Sequence, residues 1–240
     1  MAETRHHIEF LSRAVRPGNP YEETVQRLLQ SIRLGIIEPG ERLPAERELA
    51  AMLGISRDTL REAIATLAEA GYLLAKRGRY GGTFVVEDLP APSGGEGEPR
   101  LDVAQLDEIA MLRRVLEVGV ITELAARELT AAERAAIATA LDDCLDADVE
   151  SFRRHDSRLH LLFAELTGSP GLVQLSADLR TRLNAALEAM PMMPPNLSHS
   201  NEQHAQIVSA VLSGRPEVAA RVMLEHLAGT EALLRGFVEQ

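Results

Sequence analysis

Apolar residues at Val25, Leu28, Leu29, Ile32 and Ile36 recur at three- and four-residue intervals, the spacing of one helical face. The pattern predicts a helix over 21–36, stopped by Pro39-Gly40. A second, shorter helix follows Pro44 at about 46–53 and ends at Gly54. Ser56 is placed to cap a third over about 57–70, which Gly71 terminates. The period then changes. YLLAKRGRYGGTFVVE sets two β-prone apolar runs around a Gly- and Arg-rich tip, which predicts a hairpin. Residues 88–99, DLPAPSGGEGEP, have no apolar period and read as a linker. Beyond them the pattern is helical throughout, with segments at about 103–129, 131–149, 151–167, 172–190, 201–213 and 216–237. Breaks are expected at Thr130, Gly168/Pro170, the stretch PMMPPN (191–196) and Gly214/Pro216.

The fold expected is mainly α. Residues 1–87 would form an N-terminal tail and a winged helix-turn-helix with a small β-hairpin wing, 88–100 a linker, and 101–240 an all-α helical bundle. No run of about 18 apolar residues exists to span a bilayer, and the polar N-terminus lacks the apolar core of a signal peptide. Cys144 stands alone, which excludes an internal disulfide framework and any CxxC motif. These features point to the cytoplasm, with no membrane partner. The net charge of −11 argues against a nucleic-acid partner until its distribution is read. Residues 1–87 balance 12 basic against 12 acidic side chains, while the remainder holds 13 basic and 24 acidic. The acidity belongs to the bundle, and a neutral N-terminal part can still present arginines on one face.

In a helix-turn-helix the second helix enters the major groove with its N-terminal residues at the base edges. Here those residues are Ser56, Arg57, Asp58, Thr59 and Arg61. Arg57 and Arg61, four apart, project from one side. Arginine can bind guanine O6 and N7 bidentately, and hydroxyls suit phosphates or bases. The tip Lys76-Arg77-Gly78-Arg79 can lie along the backbone or enter the minor groove. A small three-helix core with solvated arginines would show the same spacing. The stretch GERLPAERELAAMLGISRDTLREAIATLAEAGYL with RGRYGGTFV goes further, because it resembles the GntR family of bacterial transcription regulators over about 21–86. The resemblance implies a double-stranded DNA partner and contacts from Arg47, Ser56, Arg57, Thr59, Arg61, Arg77 and Gly78. Asp58 departs from the Thr or Ser common there, so the operator sequence is not implied.

After the linker, LRRVLEVGVITELAAREL (112–129), DSRLHLLFAELTGSP (156–170) and HAQIVSAVLSGRPEVAARVMLEHL (204–227) resemble the helical FCD ligand-binding domain of the FadR subgroup. On a helical wheel Phe152, Leu159, Phe163 and Leu166 share a face, with Asp156 and His160 along its border. Ile207, Val208 and Val211 surround His204, and His226 shares a face with Ala219, Val222, Met223 and Leu233. A lone histidine on an apolar face is most often a hydrogen-bonded core residue. One carboxylate and three neutral imidazoles together suit a divalent ion with positions left open, Zn first and Ni or Mn as alternatives. In metal-binding relatives a D-x-x-x-H pair joins two later histidines 22 apart, which implies Asp156, His160, His204 and His226. There a small carboxylate completes the sphere and an arginine on the first helix of the domain holds it, which implies Arg113. Its neighbour Arg114 is the substitute for that role, and a surface salt bridge from Arg113 to Glu117 is the alternative reading of Arg113. Ser169 stands where many relatives have Asn.

The reading is a dimeric, ligand-responsive transcription factor, a repressor released from a near-palindromic operator by a small organic acid. It is not expected to be an enzyme. A metal-dependent hydrolase is the alternative, although no HExxH-type base accompanies the ligands. An acyl-CoA sensor without metal is another, which the four ligands disfavour.

Overall fold

The structure, a computed structural model, describes residues 20–76, 78, 81–90, 102–188 and 194–238. They form two compact units, one over 20–90 and one over 102–238. The first contains α1 (Pro20–Arg33), α2 (Glu46–Leu53), α3 (Arg57–Glu69), β1 (Leu73–Lys76) and β2 (Gly82–Val85). Its core is Leu28 and Ile32 of α1, Leu49 and Leu53 of α2, Leu60 and Leu67 of α3, closed by Tyr72, Leu73 and Val85. Gly54 ends α2 in the left-handed conformation (φ 66°), and its N–H donates to the Ala50 and Ala51 carbonyls. Two residues later Ser56 is extended and caps α3, its Oγ accepting from the Thr59 N–H at 3.0 Å. Ser56→Ala should therefore cost about 1 kcal/mol of stability, read from the denaturation midpoint of the winged-helix unit.

The wing is a two-stranded antiparallel hairpin, with Leu73 opposite Val85 and Lys76 opposite Gly82. The sequence pattern does not reveal that residues 40–43 extend it. Leu43 N–H donates to the Thr83 carbonyl and Val85 N–H to the Glu41 carbonyl, both at 2.9 Å, while Arg42 forms a bridge with Phe84. Gly82 (φ 153°) allows this, since a Cβ there would come within 2.5 Å of Arg42 Nε.

The second unit is a bundle of α4 (Val103–Ala125), α5 (Ala131–Asp146), α6 (Phe152–Glu165), α7 (Pro170–Glu188), α8 (Pro194–Leu212) and α9 (Pro216–Val238). Capping boxes start α4 (Asp102 with Gln105) and α5 (Thr130 with Glu133). The core joins Ile121 and Leu124 of α4, Ile137 and Cys144 of α5, Leu159 and Phe163 of α6, Val208 and Val211 of α8, and Val222 and Met223 of α9. Two helices begin earlier than the breaks predict: α7 at Pro170 and α8 at Pro194. Among the described residues α7 and α9 each start on proline after a non-helical residue, at Pro170 and Pro216. A first-turn N–H has no helical partner to lose, and the fixed φ of proline suits a helix start. No helix among the described residues is long and apolar enough to cross a membrane.

Candidate metal centre and DNA-reading surface

Arg47, Ser56, Arg57 and Arg61 are exposed, and Thr59 is half-buried. The Ser56 and Thr59 hydroxyls lie 2.8 Å apart, so the cap also fixes the first turn of the recognition helix. Gly78 at the wing tip is exposed with φ 110°; Arg77 lies outside the described residues. Sequence spacing misses one contact here. Arg61 Nε donates to Glu46 Oε2 of α2 at 2.8 Å, and Arg57 Nη2 stands 3.8 Å from the same oxygen.

In the bundle, Asp156, His160, His204 and His226 converge from α6, α8 and α9, one ligand atom from each lying within 4.8 Å of the others. Asp156 Oδ1 is 3.2 Å from His204 Nε2 and 3.8 Å from His160 Nε2, and the two Nε2 atoms are 3.4 Å apart. A cation ~2.0–2.2 Å from each donor would set them roughly 3.3–3.6 Å apart in the tetrahedral geometry Zn favours, so the widest pair contracts by about an ångström to close the set. All three imidazoles are buried.

The outer ring nitrogens have partners of their own. His160 Nδ1 is 2.5 Å from Glu117 Oε2. A carboxylate only accepts, so the proton sits on Nδ1 and the Nε2 lone pair turns to the cluster. His226 Nδ1 is 3.2 Å from Gln203 Oε1, which leaves its other nitrogen for the centre. His204 Nδ1 faces the Cys144 thiol at 3.6 Å. Such outer partners fix ring orientation and tautomer in metal sites. His155 and His199 contribute to none of these contacts, and His199 is exposed.

Charge is balanced around the cluster. Arg113 Nε donates to Glu117 Oε1 at 2.7 Å, and both side chains are buried. The expected i, i+4 pair exists, but in the interior, because α4 is apolar on both sides and turns this one inward. Arg180 of α7, which the sequence did not single out, is 2% exposed. Its Nη2 donates to Asp156 Oδ2 at 2.6 Å and to the Asp156 carbonyl at 3.1 Å. Burial alone would raise both carboxylates; Arg180 and the His204 hydrogen bond hold Asp156 well below the usual range, and Arg113 with His160 do so for Glu117. Burial, reinforced by Arg180, pushes His160 down to about 4, and burial also lowers His226 well below its ordinary value. His160 and His226 are thus neutral near pH 7, the form that ligates a metal. Beside His160 a small cavity, with room for about one water, is lined by Glu117, Phe163, Ser176, Arg180 and Met223. Arg180 Nε is buried without a hydrogen-bond partner. Arg113 lines a separate cavity with Leu106, Leu227 and Glu231 and reaches the cluster through Glu117.

Comparison with known proteins gives the frame for both features. Residues 20–85 match the bacterial regulatory proteins of the gntR family, and residues 108–229 match the FCD domain. A protein of Escherichia coli (strain K12) named for regulation of an L-lactate dehydrogenase operon is 30% identical over 94% of this chain and 90% of its own. The HTH-type transcriptional regulator LutR of Bacillus subtilis (strain 168) is 29% identical over 87% of this chain and 98% of its own. The HTH-type transcriptional repressor NanR of Salmonella newport is 29% identical over 88% and 84%. Among solved structures, E. coli McbR/YncC shares the fold, with a TM-score of 0.54 at 21% identity over 92% of this chain and 99% of that one. The chain belongs to the GntR family: it is a DNA-binding transcriptional regulator with an FCD effector-binding domain, and not an enzyme.

Proposed function

We propose that this regulator is a repressor switched by a small organic acid bound at a divalent metal held by Asp156, His160, His204 and His226. The observation that carries the reading is the convergence of four donor atoms, with the outer nitrogens of the three imidazoles each facing another side chain. Zn suits this set best, with Ni or Mn as alternatives. The metal supplies a Lewis-acidic centre with open positions for a carboxylate. Buried Arg113 and Arg180 are offset by buried Glu117 and partly buried Asp156, so a divalent ion leaves an excess of positive charge there. An anionic ligand offsets it, and Arg113 holds the far end of that ligand. The relative named for an L-lactate dehydrogenase operon makes short hydroxycarboxylates the first effectors to try. The relative named a repressor supports the direction of control.

The chain divides, in this reading, into a winged-helix part over 1–87, a linker over 88–100, and a metal- and effector-binding, dimerising part over 101–240. The homodimer reads a near-palindromic operator, using Arg47, Ser56, Arg57, Thr59, Arg61, Arg77 and Gly78 of each copy. Dimerisation through α4 is supported by its outer face, where Val115 is 73% and Met111 57% exposed. Effector binding shifts the population of dimer geometries and releases DNA.

The test is elemental analysis of purified protein, followed by thermal shift with Zn, Ni and Mn and with carboxylates, with and without chelator. Stoichiometric metal, and a carboxylate shift that chelator or His226→Ala removes, are expected. No bound metal together with no shift on metal addition would overturn the centre.

A further inference from the structure

Glu46 puts a negative charge on the surface that must approach phosphates, where it would repel them. It opens the first turn of α2, and 15 residues on its Oε2 accepts from Arg61 Nε at 2.8 Å and stands 3.8 Å from Arg57 Nη2. Asp58 Oδ1 adds a looser contact, 3.7 Å from Arg61 Nη1. The side chains of Arg61 and Glu46 are 53% and 41% exposed. An ion pair in that setting contributes little to folding, so stability does not explain the arrangement.

An arginine can present two different edges to an acceptor pair, one made by Nε with one Nη and one made by the two Nη groups. With Nε committed to Glu46, only the end-on edge of Arg61 is left for guanine O6 and N7. Arg57 Nη2 lies within ion-pair reach of the same carboxylate, 3.8 Å away without a hydrogen bond, so Glu46 fixes Arg61 directly and draws Arg57 toward the same side before DNA arrives. Holding a rotamer-rich side chain in place lowers the ordering cost of the bound state. The nearby carboxylate also disfavours phosphates, which carry no sequence information, beside the two arginines.

We propose that Glu46 is a specificity-determining residue of the DNA complex. It positions Arg61, and with it Arg57, for base readout and suppresses their use on the backbone. Glu46 need not touch the operator; it acts through the two arginines.

The experiment uses the full chain, a duplex selected by the wild-type protein from a random pool, and an unselected duplex of equal length. Dissociation constants are measured at several salt concentrations for wild type, Glu46→Ala and Glu46→Gln, with melting temperature as the folding control. Glu46→Ala should bind unselected DNA severalfold more tightly, with a salt slope steeper by up to about 0.9 as an arginine gains a phosphate. Its preference for selected over unselected duplex should fall about tenfold, concentrated at one G·C pair in each half-site. Glu46→Gln keeps an acceptor for Nε without the charge and should retain more of the preference than Glu46→Ala. If both dissociation constants move together and the preference is unchanged, Glu46 is only a surface charge and the proposal fails. Equal loss of preference in both variants would overturn the positioning role of the acceptor.

Discussion

Replacing Arg180 by leucine should remove about 3–5 kcal/mol from the stability of the metal-free bundle. Arg180 is almost wholly enclosed and supplies two hydrogen bonds to Asp156, one to its carboxylate and one to its carbonyl. Leucine fills much of the space but leaves an ionised carboxylate buried beside neutral imidazoles, and breaking a buried pair from one side costs in this range. That is a large share of what holds a domain of this size together. The measurement is chemical denaturation followed by circular dichroism in the presence of chelator. Adding Asp156→Asn to the Arg180→Leu chain should recover part of the loss, because the unpaired charge is then gone. A midpoint for Arg180→Leu within about 0.5 kcal/mol of wild type, the range of ordinary surface substitutions, would show that the carboxylate finds another partner.

The second large effect is acid lability. In the folded, metal-free chain His160 stays neutral down to about pH 4, whereas an unfolded histidine takes up its proton near its ordinary value of about 6.5. Between those values the unfolded state binds more protons, so stability rises with pH and is lost as pH falls. His160 alone should account for about 2 kcal/mol lost by pH 5 and about 3 kcal/mol by pH 4. His226, lowered in the same direction, adds to the loss. Asp156 and Glu117 are depressed carboxylates. Their contribution is intact above the ordinary carboxylate range and disappears only below it, which places a second loss at lower pH. Denaturation midpoints at pH 7, 6, 5 and 4, with the slope held constant, follow the histidine loss. A flat profile from pH 7 to 5 would show that His160 and His226 are not held neutral by burial.

How much of this could be read from the chain depended on whether a residue's role lay within its own element. Gly54, Ser56 and Gly71 punctuate the winged helix by local backbone chemistry, so the two short helices after Pro44 and the hairpin were legible to within a residue or two. The early starts of α7 and α8 were not, because a proline reads as a break when it can equally begin a helix. The convergence of Asp156, His160, His204 and His226 was legible because His204 and His226 turn toward apolar faces, with Asp156 and His160 along the border of a third. Glu117 was seen only as the i+4 partner of Arg113, since a wheel cannot tell that α4 is covered on that side. Arg180 gave no signal at all. An arginine is assumed to reach solvent, and the carboxylate that holds this one lies 24 residues earlier. The link from Glu46 to Arg61 spans two helices and was equally invisible.

Cys144 has a practical consequence. It is the one thiol in 240 residues, fully enclosed against His204 and held firmly protonated by burial. A thiol-modifying reagent can therefore reach it only when the bundle opens, and needs the thiolate to react. The rate of its modification reports how often the effector domain opens and does not respond to fraying of the winged helix. A ligand or metal that tightens the interior should slow that rate in proportion to the free energy it contributes. The protein thus carries its own label for measuring what binds beside it.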